Sequence, residues 1–442
     1  MPLAYCLCIA SIFLWLFIAV AVAKTKADYL HPVVVFSGLF ILTYPLKLLI
    51  SFYGFHVLDS MSIGQSTIIW SILIFNAAGL FFILPMVLQS KTTTNPEIFR
   101  FVSFSTKTML LLALSLLIAS YGTDALRAVF SLEGLQGRIS ERANERVGSG
   151  LLALVRQGGL YILIIFAIKC SFKSKSNLLN FAFISGYSIF ALLISGSKYQ
   201  GLLLPFIFFV IWYYRNRSEN RNILNMRRLI FGSTIGLFLV GLMGYMRGAG
   251  AWEGEAKHPF LIQVFYQLSN AFDAPDNLIV LLDRTETWIF GDLGPRLLAD
   301  YLIMPFIPRF LWADKPLVSG NQLVMQEYFP ERFGGHLGEA ISPSLPGEMM
   351  LTGGLFYMAI WLTILGFLCG RLYFLSQTRG KFYLIAHMWV LLNIFNFQRS
   401  GTGTLGSLIR FSLVALAIYC VLKAIHFAVA TNPSLYHARN RH

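Results

Sequence analysis

The run LAYCLCIASIFLWLFIAVAVA at residues 3–23, closed by Lys24-Thr25-Lys26, carries no charged side chain along its whole length. A helix needs about 20 mostly apolar residues to cross the hydrocarbon core of a bilayer, and this run has that length and character. Working outward, similar runs recur at 32–53, 66–88, 107–121, 150–168, 178–197, 200–214, 228–246, 350–370, 382–398 and 405–427. A cleaved signal segment accounts for one such run near the N-terminus, not for a series along the whole chain. The 442 residues are 56% hydrophobic and only 13% charged, against about 25% charged in soluble domains. These features predict an all-α polytopic membrane protein of about eleven transmembrane helices, with residues 1–442 as a single membrane-embedded domain.

The net charge of +14, from 35 Lys+Arg against 21 Asp+Glu, would suggest a nucleic-acid partner in a soluble protein. Here alternate loops collect the cations. Lys24 and Lys26 come first, then Lys91, Arg100 and Lys107, then Lys169, Lys173 and Lys175. Arg215, Arg217, Arg221, Arg227 and Arg228 follow, then Arg371, Arg379 and Lys381, and a tail with Arg439 and Arg441. Eleven spans put all of these on one side, so the charge rule predicts an outer N-terminus and a cytoplasmic C-terminus. A lipid bilayer, not nucleic acid, is the expected partner of the basic composition. The five cysteines lack metal-ligand spacing, and no disulfide or zinc site is expected.

The outer loops on this count are 122–149, the long stretch 247–349 and the short turn 399–404. The long loop is rich in proline and glycine, and a segment of that length outside the membrane signals function. Within it, 261–271 and 296–312 are apolar enough for short interfacial helices. No internal repeat is visible, which weighs against transporter folds made of repeated halves.

Outward loops should be poor in Arg and Lys, yet loop 122–149 has Arg127, Arg138, Arg142 and Arg146. The last three follow an i, i+4, i+8 spacing, which places them on one ridge of a helix. Glu141 and Glu145 lie beside them, so the ridge reads either as a self-paired solvated helix or as a cradle for a diphosphate. Lys47, Arg156, Lys198 and Arg410 fall in the outer halves of spans, and Arg247 and Arg399 at outer ends. A cation at the centre of a membrane helix costs about 2.5–3.5 kcal/mol on insertion scales. Snorkelling accounts for one or two; a phosphorylated lipid at the outer leaflet accounts for the group, since Arg suits bidentate phosphate contact. In the long loop Arg309 and Lys315 stand among Trp252, Trp312 and other aromatics, which serve as sugar-stacking surfaces or as interfacial anchors.

The run Pro308-Arg309-Phe310-Leu311-Trp312-Ala313-Asp314-Lys315-Pro316 resembles the P-R-x-x-W-x-x-K-P signature of bacterial O-antigen and oligosaccharide repeat-unit polymerases. Ser342-Pro343, Gly347-Glu348 and Gly353-Gly354 are similar to that family's S-P…G-E…G return to the membrane. Ser195-Gly196-Ser197-Lys198 is similar to its S/G-S-R-G segment, with Lys198 where Arg is usual. Arg309 and Gly320 fit the family's Arg-to-Gly spacing in large outer loops; Arg138 misses it by one residue at Gly150.

The resemblance implies a GT-C-like glycosyltransferase that needs no metal or other cofactor. It implies multi-pass residence in the bacterial inner membrane, with chemistry at the periplasmic face in the making of O-antigen or a related surface polysaccharide. Donor and acceptor would both be undecaprenyl-diphosphate-linked oligosaccharides, with a chain-length regulator and a flippase as further partners. Such a transfer needs a base for the acceptor hydroxyl, cations for the departing diphosphate, and alignment of two large substrates. Glu348 is the first candidate base, with Glu339 and His336 as alternatives. Arg138, Arg142, Lys198, Arg247, Arg309, Lys315 and Arg399 are the diphosphate candidates, and Trp312 and Trp252 the sugar-contacting ones. Two other readings stay open: an O-antigen ligase-type transferase using His258 or His336 as base, and a flippase of the lipid-linked oligosaccharide.

Overall fold

The structure is a computed structural model that describes residues 2–51, 63–89, 111–119, 150–169, 185–191, 198–218, 274–285, 293–304, 320–330, 342–379 and 382–431, with isolated positions 228, 232, 234, 238 and 307. Among these residues there are helices and no strand. Each of the apolar runs expected to span the membrane holds helix where it is described. Among the described residues five helices are long and apolar enough to cross a membrane: Pro2–Lys26, Pro32–Ile50, Gln65–Val87, Leu345–Thr378 and Gly401–Val421. The protein is therefore an all-α membrane protein with several spans. Loop 122–149 and the segment 261–271 lie outside the described residues.

Helix α1 (Pro2–Lys26) shows why the solvent is lipid. Ala4, Cys8, Ser11, Trp15, Ala19 and Val22 form a buried stripe at helical spacing. The opposite face exposes Leu3, Phe13, Leu16 and Phe17, Phe17 at 72%. An aromatic and aliphatic stripe of that size is not sustained in water. Helix α2 (Pro32–Thr43) starts with proline in its first turn and His31 as cap, the imidazole Nδ1 accepting the Val33 N–H at 3.3 Å. Proline suits that place because its missing N–H would be unbonded there anyway. Pro45 then interrupts the ladder at Tyr44, so the span Pro32–Ile50 is a helix with one break, α2 running on into α3 (Pro45–Ser51).

Helix α4 (Gln65–Val87) packs on the longest helix, α10 (Leu345–Thr378). Between them in sequence lie α5 (Gly150–Lys169), α6 (Lys198–Ser218), α7 (Ala274–Arg284), α8 (Gly294–Leu298, continued by a π-helical turn at Ala299–Ile303) and α9 (Gly320–Tyr328). The α4–α10 contact is made backbone to backbone. A Cβ on Gly366 would stand 1.9 Å from the Phe82 carbonyl oxygen, and one on Gly370 would stand 3.1 Å from Met86 Cα. Gly366 and Gly370 are four residues apart, the small-xxx-small spacing by which membrane helices approach closely.

Two departures from the sequence reading position the site. Helix α10 is kinked at Gly353-Gly354, where Gly354 has φ 77°, a left-handed conformation that glycine adopts without a Cβ clash. The kink sets apart a short arm, 345–352, that begins before the expected span at 350. Second, the outer turn expected at 399–404 shrinks to one residue. Helix α11 (Phe382–Arg399) ends, Ser400 intervenes, and α12 (Gly401–Thr431) begins. Helix α7, unforeseen in the long loop, is buried from Ala274 to Leu282 against α3, α4 and α10. It is an inserted element, not an interfacial one. The predicted 296–312 helix is helical over 294–304 in its described part.

The bundle has two ends with opposite character. At one, Lys24, Lys26, Arg215, Arg217 and Arg379 close α1, α6 and α10. At the other, α2 and α11 end and α10 and α12 begin.

Candidate functional site

At the second end, Glu348 occupies the first turn of α10 and is fully buried. Ser344 caps that turn, accepting the Gly347 N–H on its hydroxyl at 3.2 Å and the Glu348 N–H on its carbonyl at 3.0 Å. Ser344 has φ 71°, a strained backbone for a residue with a side chain; such strain costs about 1–3 kcal/mol and tends to collect at functional sites. The carboxylate reaches across to α12. Ser400 Oγ donates to Oε2 at 2.5 Å and the Thr402 N–H donates to Oε1 at 2.7 Å.

Ser400 stands where a helix N-cap belongs, and a serine there ordinarily accepts an N–H of its own helix. Here its hydroxyl donates to Glu348, and the glutamate takes the N–H instead. A carboxylate at a helix N-terminus also gains from the positive end of the helix dipole. Gly401 makes the approach possible: a Cβ there would come within 2.5 Å of Leu345 Cδ1.

A polar network joins this pair to three further elements. Ser342 Oγ donates to the Arg399 carbonyl at 2.5 Å, and Asn277 of α7 donates to the Ser342 carbonyl at 2.9 Å. Beside Asn277, Asp276 pairs with Lys47 of α3 at 3.4 Å, both side chains nearly or wholly buried. Gln398, also buried, donates to the Phe36 carbonyl at 3.0 Å, and its own carbonyl accepts the Tyr44 hydroxyl. The Arg399 guanidinium lies 5.9 Å from the Phe395 ring. A carboxylate, hydroxyls, an amide, an ion pair and an arginine thus meet where α3, α7, α10, α11 and α12 converge.

Of the residues singled out in the sequence, Glu348 and Arg399 stand at this end of the bundle, Arg399 joined to the network by its backbone carbonyl. Lys198 opens α6, and its side chain lies outside the described residues, as does that of Arg156 in α5. His336, Glu339, Arg138, Arg142, Arg247, Arg309, Lys315, Trp252 and Trp312 lie outside them altogether. Lys47, read as one of a group of outer-leaflet cations, is in a buried ion pair with Asp276. Arg410 donates to Ser407 at 2.9 Å. Sequence reasoning missed Ser400, Thr402 and Asp276. The signal for the first two is the Ser400-Gly401-Thr402-Gly403-Thr404 string, a helix start inside the turn expected at 399–404.

The opposite end holds a second buried carboxylate, Asp28, between α1 and α2. Tyr213 Oη and the Leu30 N–H donate to Oδ1, each at 3.0 Å; Arg217 at 2.7 Å and Tyr373 Oη at 2.6 Å donate to Oδ2. Burial pushes the Asp28 carboxyl upward in pKa, and Arg217, then the tyrosine hydroxyls and the Leu30 N–H, pull it back. His31 packs edge-on to Tyr373 with ring centroids 4.6 Å apart. Burial first, then the charges of Lys26, His387 and Arg217, hold its imidazole down to about 3, so it is neutral at physiological pH.

No protein-family model matches the chain, and no solved structure matches it.

Proposed function

We propose that the chain is a membrane glycosyltransferase that polymerises undecaprenyl-diphosphate-linked oligosaccharide repeat units, for O-antigen or a related surface polysaccharide. The observation that carries the reading is the meeting of two stretches. The Ser342-to-Glu348 segment, which resembles the polymerases' return to the membrane, is bonded to the Arg399–Thr402 turn through Ser342 and Glu348. An arginine and a carboxylate then share one end of the bundle. The cation-rich end is opposite, and the charge rule makes that end cytoplasmic. On this reading the Glu348 end faces the periplasm of the inner membrane, the N-terminus is outside, the spans number about eleven, and the fold is GT-C-like.

In the reaction the acceptor hydroxyl of a fresh repeat unit forms a bond to the anomeric carbon of the growing chain. The bond from that carbon to the phosphate oxygen breaks, and its electron pair leaves with the undecaprenyl diphosphate. The hydroxyl proton passes to Glu348. Arg399, with Arg138, Arg142, Lys198, Arg247, Arg309 and Lys315, neutralises the departing diphosphate, so charge stabilisation comes from the protein's own cations. Glu339 and His336 remain the other candidates for the base. Trp312 and Trp252 are placed on the sugars, and a chain-length regulator and a flippase act with the enzyme.

The test is reconstitution of the purified protein with undecaprenyl-diphosphate-linked repeat units and gel separation of the glycolipids. A ladder spaced by whole repeat units, formed with chelator present and lost on Arg309→Ala, is expected. Movement of the lipid across proteoliposomes without a ladder would overturn the reading in favour of a flippase.

A further inference from the structure

Next to Glu348 are polar groups that the fold does not use. The Thr402 hydroxyl lies against the carboxylate but meets no partner at hydrogen-bonding geometry among the described residues, although Thr402 is fully buried. Tyr357 Oη, within electrostatic reach of Glu348, is buried and has no partner among the described residues either. The same is true of Trp361 Nε1. Leaving such a group without a partner is costly, and nearly all buried polar groups in proteins avoid it.

The backbone is arranged to put Tyr357 there. A Cβ on Gly353 would lie 2.6 Å from Tyr357 Cγ, so the ring occupies space that only glycine leaves. The adjacent Gly354 is left-handed, and this kink joins the turn that carries Tyr357 to the arm that carries Glu348. Trp361, one turn further on, stacks on Tyr357 with centroids 6.0 Å apart and planes at 16°. Both residues are only partly buried, so part of their surface is open to a ligand.

We infer that Thr402 and Tyr357, flanked by Trp361, form with Glu348 the subsite that binds the hydroxyl-bearing terminal sugar of the incoming lipid-linked acceptor. The inference rests on the glycosyltransferase reading. The attacking hydroxyl of the sugar donates to Glu348, and neighbouring sugar hydroxyls bond to Thr402 Oγ1 and Tyr357 Oη. The tryptophan ring and its N–H border the sugar. Thr402 and Tyr357 bind substrate in this arrangement; the proton goes to Glu348.

The experiment uses the full chain in phospholipid nanodiscs and two probes, undecaprenyl-diphosphate-linked repeat unit and undecaprenyl diphosphate without sugar. Melting temperature with and without each probe is measured for wild type, Thr402→Val, Tyr357→Phe and Thr402→Ser, and ladder formation is followed in parallel. Thr402→Val keeps the N–H that holds Glu348, and Tyr357→Phe keeps the ring. The increment due to sugar is taken within each protein, so a variant that folds less well still reports.

Expected is a sugar-dependent increment in wild type and Thr402→Ser that is lost in Thr402→Val and Tyr357→Phe. The KM for the acceptor should rise about five- to tenfold in each of those two, one neutral hydrogen bond apiece, with kcat changed less than about twofold. Equal increments in every protein, with or without a ladder, overturn the subsite. Variant-sensitive increments with no ladder from wild type overturn the polymerase reading and leave a glycolipid subsite standing. Neither increment nor ladder from wild type removes both.

Discussion

The two carboxylates that are completely buried among the described residues, Asp28 and Glu348, lie at opposite ends of the bundle and are held in different ways. Asp28 accepts four donors at 2.6–3.0 Å, one of them the guanidinium of Arg217. An ionised carboxylate has about four lone-pair sites, so nothing is left over for a ligand. Glu348 accepts two donors at hydrogen-bonding geometry, with the Thr402 hydroxyl and the Gly401 N–H turned on it as well; all are neutral, and it pairs with no cation among the described residues. Its neighbours include hydroxyls without partners, a strained cap at Ser344 and a left-handed glycine. The Asp28 node ties α1, α2, α6 and α10 together and is saturated. The Glu348 end is organised, but its carboxylate has no counter-charge among the described residues. A neutralised, saturated carboxylate is what a structural device needs, and a carboxylate without a counter-ion beside strain is what a site needs.

The largest effect should come from Glu348→Gln. The amide oxygen still accepts the Thr402 N–H and the nitrogen can face the Ser400 hydroxyl, so the protein should accumulate normally. Chain extension should fall by about 10²–10⁴, the range of a positioned general base. Near-normal ladders from this variant would make the two carboxylates alike and end the comparison. Asp28→Ala should do the reverse. It leaves Arg217 and two tyrosine hydroxyls facing an empty centre, at a cost of about 3–5 kcal/mol in stability. Its melting temperature and abundance should drop, while the ladder made per folded molecule keeps its length. A shortened ladder at unchanged stability would move Asp28 to the functional side.

How much of this could be read in the sequence differs between the two ends for a physical reason. The helices were legible because apolar runs of spanning length are strong signals, and every such run holds helix where it is described. Glu348 was legible as a lone carboxylate where a loop meets a span. Its partners Ser400 and Thr402 are more than fifty residues away, and their short string was read as a loop when it is a one-residue break between helices. Lys47 stood out as a cation inside a span, but its counter-ion is on α7, a helix whose burial depends on tertiary packing that no local pattern reveals. Asp28 gave no local signal: its four donors come from Leu30, Tyr213, Arg217 and Tyr373. The Gly366–Gly370 pair was visible and was passed over, although its spacing is a direct sign of close helix approach.

That pair gives the third test. Gly366→Ala would put a methyl group where the Phe82 carbonyl oxygen now sits 1.9 Å away, so α4 must shift away from α10. Overpacking of this kind costs about 1–3 kcal/mol. The contact lies between the two ends, so the variant should melt earlier and also loosen the registry of Glu348 against Ser400. A lower melting temperature with an unchanged rate would show that the Glu348 end is positioned by α11 and α12 alone.

The smallest effect is a pH dependence confined to the saturated end. His31 is neutral in the folded protein, with a pKa held by burial down to about 3 from the ordinary value of 6.5. A depressed histidine contributes stability that is fully present above about pH 6.5 and is lost as pH falls from there towards 3. Between pH 7.5 and 5.5 the unfolded chain takes up nearly one proton at this residue and the folded chain almost none. Stability should therefore fall by about 1.4 kcal/mol, one pKa unit's worth. His31→Asn keeps an acceptor for the Val33 N–H, since asparagine is a good N-cap, but removes the titration. The melting temperature of wild type should drop more than that of the variant over this interval, with Asp28 common to both and cancelling. Parallel curves would mean that His31 is already protonated beside Tyr373, and the end of the bundle taken as saturated would then have room for another charge.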